Sequence, residues 1–385
     1  MKESETNTVR LLAYSRARRG TRLWPLLFAG LLLHVTGALA TVLPEDRTDL
    51  MYHSYDGGGV TVSGPALLVR KSVGDNVSLS GRYYVDTISS ASIDVVTTAS
   101  PYTDRREEFQ LGIDYLHGNT LMGLSFSKSS ESDYLANTFN LNVSQDLFEG
   151  LTTVTMGYSQ GYDTIQANNS TEVHNLNRYK YRLGLTQVLT PTVLLGVSYE
   201  DIAEEGYLKN PYRYAQYLGV FVPELYPGTH DSQALSVRVM KGFSSDKRSV
   251  GDSVRGEYRY YSDNWGISSN TLSLAYQRYF DNNWLGEAHY RFYQQTAASF
   301  YSDNFTTAMT YMTRDKELSA FRSNSLGVKA TWFIPSSKSL FINRMSLNLA
   351  YDYILFDYDN FTDIRTGQLY SFSANVLQLF FSAWY

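Results

Sequence analysis

The feature that most constrains this chain is an alternation that recurs along most of its length. Phe109, Leu111, Ile113 and Tyr115 alternate with Gln110, Gly112 and Asp114. Tyr179, Tyr181, Leu183 and Leu185 alternate with Lys180, Arg182 and Gly184, and Leu347, Leu349, Tyr351 and Tyr353 follow the same rule. Period two is the period of a β-strand, so each segment has one apolar and one polar face. Beyond residue 40 no apolar run reaches the roughly 18 residues a membrane helix needs. A membrane span must then be built of strands, and strands satisfy their backbone polar groups in lipid only when the sheet closes. Tyr occurs 32 times against 19 Phe while mean hydropathy is −0.29. That excess suits the belts where a ring meets lipid and its hydroxyl meets water. A soluble sandwich would show an apolar core under a polar exterior. Here the polar face of nearly every strand carries Gly, Ser, Asn or a charge, as a hydrated lumen requires. The expected fold is all-β: a closed antiparallel transmembrane β-barrel.

The connections fall into two alternating classes. Short ones are Gly74-Asp75-Asn76, Gly118-Asn119, Phe148-Glu149-Gly150, Thr190-Pro191-Thr192, Asp281-Asn282-Asn283 and Pro335-Ser336-Ser337, with a longer member near Ser244 to Ser253. The other class lies at 91–106, 166–176, 208–232, 299–318 and 358–368, with tighter turns near Glu131-Ser132 and Trp265-Gly266. Short periplasmic turns alternating with long extracellular loops is the pattern of outer-membrane barrels. Segments from Val60 onward give fifteen strands, and Arg47 to Tyr55, joined through Asp56-Gly57-Gly58-Gly59, gives about 16, the even number a single-chain barrel requires.

Both ends fit that location. Arg16, Arg18, Arg19 and Arg22 precede an apolar stretch from Leu23 to Val35, then Ala38-Leu39-Ala40. This reads as a secretory signal over residues 1–40, cut after Ala40, with the outer-membrane barrel at 41–385. The final strand alternates Leu377, Leu379, Phe381, Ala383 and Tyr385. It resembles the C-terminal assembly signal of bacterial outer-membrane proteins, in which the aromatic ring, rather than the hydroxyl, is the feature read. Residues 1–40 hold six of the 33 basic and two of the 38 acidic side chains, so 41–385 carries a net charge of −9. An acidic chain without a basic tract is a poor nucleic-acid binder. The absence of cysteine excludes disulfides, thiolate metal sites, Cys nucleophiles and attached c-type haem.

Strand parity assigns the lumen face. It places Arg82, Arg182, Arg238, Arg255, Glu257, Arg259, Glu287, His289, Arg291 and Lys329 there, together with Asp114, Lys180, Glu200 and Asp352. Arg255, Glu257 and Arg259 share one face of one strand, as do Glu287, His289 and Arg291, with neighbours about 7 Å apart. Such runs make a hydrated wall of crossed charges and set the field of a pore. An enzyme reading is disfavoured. No Gly-x-Ser-x-Gly or His-Glu-x-x-His motif occurs, and of the histidines His53, His117, His174, His230 and His289 only the last sits on a clear lumen face. Asp86, Asp94, Asp104, Glu131, Asp133 and Asp163 lie near loop bases, where oxygen ligands could gather Ca²⁺. Without a repeat or EF-hand spacing they read as solvated acids, and neither a metal nor another cofactor is expected. The stretch 208–232, with Tyr207, Tyr212, Tyr214, Tyr217, Phe221 and Tyr226 in or beside it, is the candidate constriction or docking loop.

Several strings are more specific. Tyr55-Asp56-Gly57-Gly58-Gly59-Val60, Gly64-Pro65, Tyr83-Tyr84-Val85-Asp86, Ser89 to Val95, Ser100-Pro101-Tyr102-Thr103 and Ser132-Asp133-Tyr134 resemble a bacterial family catalogued as domain of unknown function 3570. The likeness covers most of 41–385 and is densest from 50 to 165. It implies an outer-membrane barrel of a Gram-negative bacterium with no established reaction. The resemblance also implies a setting in which members often lie beside small lipoproteins, thioredoxin-like proteins and flavin-attaching enzymes of the envelope. Two functions are therefore expected to compete. One is a porin-like or transport channel. The alternative is a structural sheath or anchor for an envelope redox or export assembly, with a periplasmic or lipoprotein partner. Outer-membrane lipid and the outer-membrane assembly machinery are partners under either.

Overall fold

A computed structural model of the protein describes residues 42–93, 102–243, 251–335 and 342–385. The expected signal segment and Asp94 fall outside them. The strands are β1 (Arg47–Gly57), β2 (Val60–Val73), β3 (Val77–Ser90), β4 (Tyr102–His117), β5 (Thr120–Ser130), β6 (Tyr134–Leu147), β7 (Thr152–Ile165), β8 (His174–Thr190) and β9 (Val193–Gly206). After a short pair, β10 (Tyr214–Tyr217) and β11 (Val220–Pro223), come β12 (Thr229–Phe243), β13 (Asp252–Asp263), β14 (Ser268–Tyr279), β15 (Trp284–Gln295), β16 (Phe321–Ile334), β17 (Arg344–Asp363) and β18 (Gln368–Trp384). All but β10 and β11 form one closed antiparallel barrel of sixteen strands. Each pairs with its neighbour in sequence, β9 pairs with β12 across the β10–β11 insertion, and β18 returns to β1.

Closure runs from Arg47↔Trp384 to Gly57↔Ala374 without a register break. The strand expected at Arg47 to Tyr55 is therefore the one that seals the barrel. It turns into β2 at Gly58 and Gly59, whose φ values of 60° and 77° lie in the left-handed region that a tight two-residue hairpin demands.

Alternation decides the faces. Leu50, Tyr52, Leu67, Val69, Leu111, Ile113, Leu183, Leu185, Leu349, Tyr351, Leu377 and Leu379 are exposed on the outside, an apolar belt of the kind lipid covers. Residues of opposite parity face inward. In two places an inward glycine lets flanking strands reach over an intervening one. His53 on β1 and Asp86 on β3 meet at 2.7 Å across Gly64 of β2. His289 on β15 and Asp352 on β17 meet at 2.6 Å across Gly327 of β16. A Cβ on Gly327 would collide with both the Asp352 carboxylate and the His289 ring. These glycines are places of close approach rather than of unusual backbone.

One expected connection is corrected. Residues 358–368 are mostly strand: β17 continues to Asp363, its register breaks between Asp357 and Thr362, and the turn is only 364–367. The reason is packing. Tyr358, Phe361 and Tyr370 form a buried apolar cluster with Ile93, and Phe361 is fully buried. That cluster extends the hairpin where a solvated loop was expected.

In the folded barrel the Tyr385 hydroxyl is hydrogen-bonded. It donates to the Arg70 carbonyl at 3.0 Å and accepts from Thr48 Oγ1 at 3.4 Å, while Lys71 lies 5.1 Å from the ring centroid. Two outcomes follow. Gly327→Ala should separate His289 from Asp352 and destabilise the barrel by about 1–3 kcal/mol, lowering the temperature at which it loses compact mobility on a gel. Tyr385→Phe should still assemble, but with a loss of about 1 kcal/mol by the same assay; an unchanged midpoint would show that the hydroxyl bonds contribute nothing.

Candidate functional site: the lumen wall and its cap

The inward face is organised as ion pairs between strands. Arg82 on β3 pairs with Glu108 on β4. Arg70 on β2 reaches Asp114 on β4 at 2.7 Å. Lys180 and Arg182 on β8 both bind Glu200 on β9, at 2.6 and 2.9 Å, and Arg259 on β13 approaches the same carboxylate at 3.5 Å. Arg238 on β12 holds Glu257 on β13 at 2.6 Å. Arg255 lies 3.7 Å from Glu287 on β15. The expected run Arg255, Glu257, Arg259 therefore shares a face as read, but its members pair sideways with three other strands.

Most of these pairs are layered. Side-chain exposure is 56% for Arg182 against 18% for Glu200, 54% for Arg238 against 25% for Glu257, and 42% for Arg255 against 13% for Glu287. The carboxylates sit at the wall and the guanidiniums stand above them. A long side chain reaches past its short partner, so the surface offered to water is cationic. Arg291 and Lys329 have no carboxylate within pairing distance among the described residues. Arg291 lies over Tyr293 at 5.6 Å and Lys329 over Phe380 at 5.0 Å. His289 pairs chiefly with Asp352; Glu287, its expected neighbour, is 3.4 Å from the other ring nitrogen.

The loops at one end build a cap. Segments 207–228 and 296–320 are hydrogen-bonded to each other through the backbone. Leu218 N–H donates to the Phe305 carbonyl, and Phe305 N–H to the Gln216 carbonyl. Leu225 and Met312 exchange both of their bonds. Ala215, Phe305 and Met312 form a small core beneath the β10–β11 hairpin. Leu208 and Tyr226 pack against a second core of Trp265, Ile267, Ala298 and Phe300. Arg314 pins the cap to the β17–β18 end. It is buried, lies 2.8 Å from Asp303, donates to the Thr362 carbonyl at 2.5 Å and stacks 4.4 Å from the Phe361 ring centroid. Glu224 is buried between the two loops. Its Oε1 accepts from Thr313 and from the Arg314 backbone, and its Oε2 has no hydrogen-bond partner. Burial pushes its carboxyl up from the usual value, against the pull of the Arg314 N–H, Thr313 and Arg213.

Beside the cap lies a vestibule of about 850 Å³, lined by the loop ends of several strands and by segments 207–213 and 316–317. Arg178 anchors its wall, at 3.3 Å from Asp163 and 3.1 Å from Glu204. His230 bridges Glu204 and Asp263 at 2.9 and 3.1 Å, with its ring 4.1 Å from that of Trp265. Of the acidic residues singled out in the sequence, Asp104, Glu131 and Asp133 converge, each offering an oxygen within 4.8 Å of the others. Asp86 and Asp163 are instead used by His53 and Arg106, and by Arg178 and Tyr134. Sequence reasoning missed Arg70, although the alternation of Leu67 and Val69 with Leu68 and Arg70 carried the signal. It also missed Glu224, Arg213 and Arg314, for which no local pattern exists.

Comparison with known proteins supports the fold. A bacterial polysaccharide outer membrane secretin aligns over 89% of this chain and 99% of its own, with 7% identity and a TM-score of 0.52. CdiB from Acinetobacter baumannii aligns over 88% of this chain, which spans 60% of that protein, with 10% identity and a TM-score of 0.50. At such identities these likenesses concern architecture alone. No curated protein sequence matches. A family model described as a protein of unknown function, DUF3570, matches residues 92–182 and 173–351, well over half of the sequence. The chain belongs to that family, DUF3570.

Proposed function

We propose that this protein is a porin-like channel of the outer membrane, narrowed at its loop end by the cap. The observation that carries the reading is the layered inner wall. A lumen packed with side chains would bury its charges, whereas here Arg182, Arg238 and Arg255 are each at least two-fifths exposed. Barrels of about sixteen strands leave room for an aqueous path. An excess of exposed cations over carboxylates biases such a path toward anions. The interlocked loops supply a gate whose closed form is held by backbone hydrogen bonds and two small apolar cores. Nothing in this reading requires catalysis.

Planar-bilayer recordings test it. The full-length barrel is expected to give discrete steps with anion preference, and removal of 208–226 should enlarge them. Arg255→Glu with Arg259→Glu should shift the reversal potential toward cations. A reconstituted barrel that stays silent with and without its cap would sink the channel reading and favour a sheath or anchor.

Glu224 gives the gate a pH dependence. Its carboxyl is raised in the folded cap, so it contributes stability that is fully present below the ordinary carboxylate value and is lost as pH rises through the raised one. The charged and titratable groups around it are Arg213, Arg314, Asp315 and Tyr226. Open probability should therefore rise with pH across that window. Glu224→Gln, the uncharged isostere, should flatten the rise; an identical pH profile in the variant would remove Glu224 from the gate.

A further inference from the structure

The wall between β8 and β13 is more than a set of balanced ion pairs. One carboxylate, Glu200, is shared by Lys180, Arg182 and Arg259. Its immediate neighbour is the Arg238–Glu257 pair. Arg259 lies opposite Ser236 in register, and Arg238 opposite Glu257, so the groups occupy one patch on adjoining strands. Four cations thus face two carboxylates. An ammonium has three donors and a guanidinium five, whereas each carboxylate offers about four lone-pair sites. Most of the donors are left for another acceptor. Both carboxylates lie low on the wall and the cations stand above them. Ser198 and Ser236 occupy the inward positions between, paired with each other in register. Gly196, opposite Arg238, adds no side chain to fill the space. Toward the loop end Arg178 sits two residues before Lys180 on the same face and lines the vestibule, so cations step from the mouth to the patch.

We propose that Lys180, Arg182, Arg238 and Arg259 form a binding station for a compact, multiply charged oxyanion, with Glu200 holding the cations in place when the station is empty. This rests on the channel reading only in requiring a water-filled lumen. Phosphate esters and polycarboxylates share the required chemistry: several anionic oxygens on a small body, suited to forked guanidinium donors.

Binding of inorganic pyrophosphate and of citrate to the full chain in detergent, by isothermal titration at low ionic strength, tests the proposal without needing conductance. Saturable binding of at least one is expected, weakening as salt is added. Arg182→Gln and Arg259→Gln should each lower affinity about tenfold, the scale of one lost charge-assisted hydrogen bond. Glu200→Gln removes the competing carboxylate and should tighten binding several-fold, whereas a purely structural ion pair predicts no gain. Tighter pyrophosphate assigns the station to phosphate esters, and tighter citrate to polycarboxylates. Absence of binding by both, or affinity unaffected by all three substitutions, overturns the proposal. A barrel that conducts without binding overturns only the station. One that binds but stays silent with its cap removed overturns the channel and leaves an oxyanion receptor.

Discussion

Everything in this molecule depends on the need to pair backbone polar groups inside lipid. An unpaired N–H or C=O in hydrocarbon costs several kcal/mol, so a sheet spanning the membrane has no tolerable edge. The chain meets that requirement by returning β18 to β1 in unbroken register. Once the wall is closed, parity becomes destiny. Leu377 and Leu379 must face out, and Arg182, Arg238 and Arg255 must face in. The charge chemistry of the lumen follows from a hydrogen-bonding constraint on the backbone.

Within the wall, side chains solve a second problem, that of holding cations where water can reach them. Lateral pairing does this. A guanidinium bound from the side by a carboxylate on the next strand is held by short contacts but still presents its far donors upward. The two histidine–aspartate bridges extend the same device over two strands, at the cost of a glycine between them. The wall is thereby cross-linked in the direction perpendicular to the strands, in addition to the backbone ladder.

The barrel was legible because period two is a local signal repeated sixteen times. The faces of Arg255, Glu257 and Arg259 were legible for the same reason. Their partners were not. Register between strands depends on turn length and bulges, so which carboxylate meets Arg259 is a non-local fact; Glu200 lies two strands away. The 208–232 stretch was legible as a structured loop through its tyrosines, but its mate was hidden. Residues 216–218 bind Phe305 across a long separation in sequence, and Glu224 binds Thr313 and Arg314 likewise. Polar loop composition carries no trace of that docking. At 358–368 the polar character of Asp359, Asn360, Thr362 and Asp363 outweighed Tyr358 and Phe361, whose burial extends the strand.

The interlocked loops have a mechanical consequence. They spring from the β9–β12 and β15–β16 junctions, with β13 and β14 between them in the wall. Their mutual backbone bonds, together with Arg314 clasping the β17–β18 end, draw a chord across that sector. A cylinder stiffened by a chord resists flattening into an ellipse more than an open ring does. The stiffened arc reaches on to β8, where Tyr207 N–H donates to the Asn175 carbonyl and the Tyr207 ring stacks on His174.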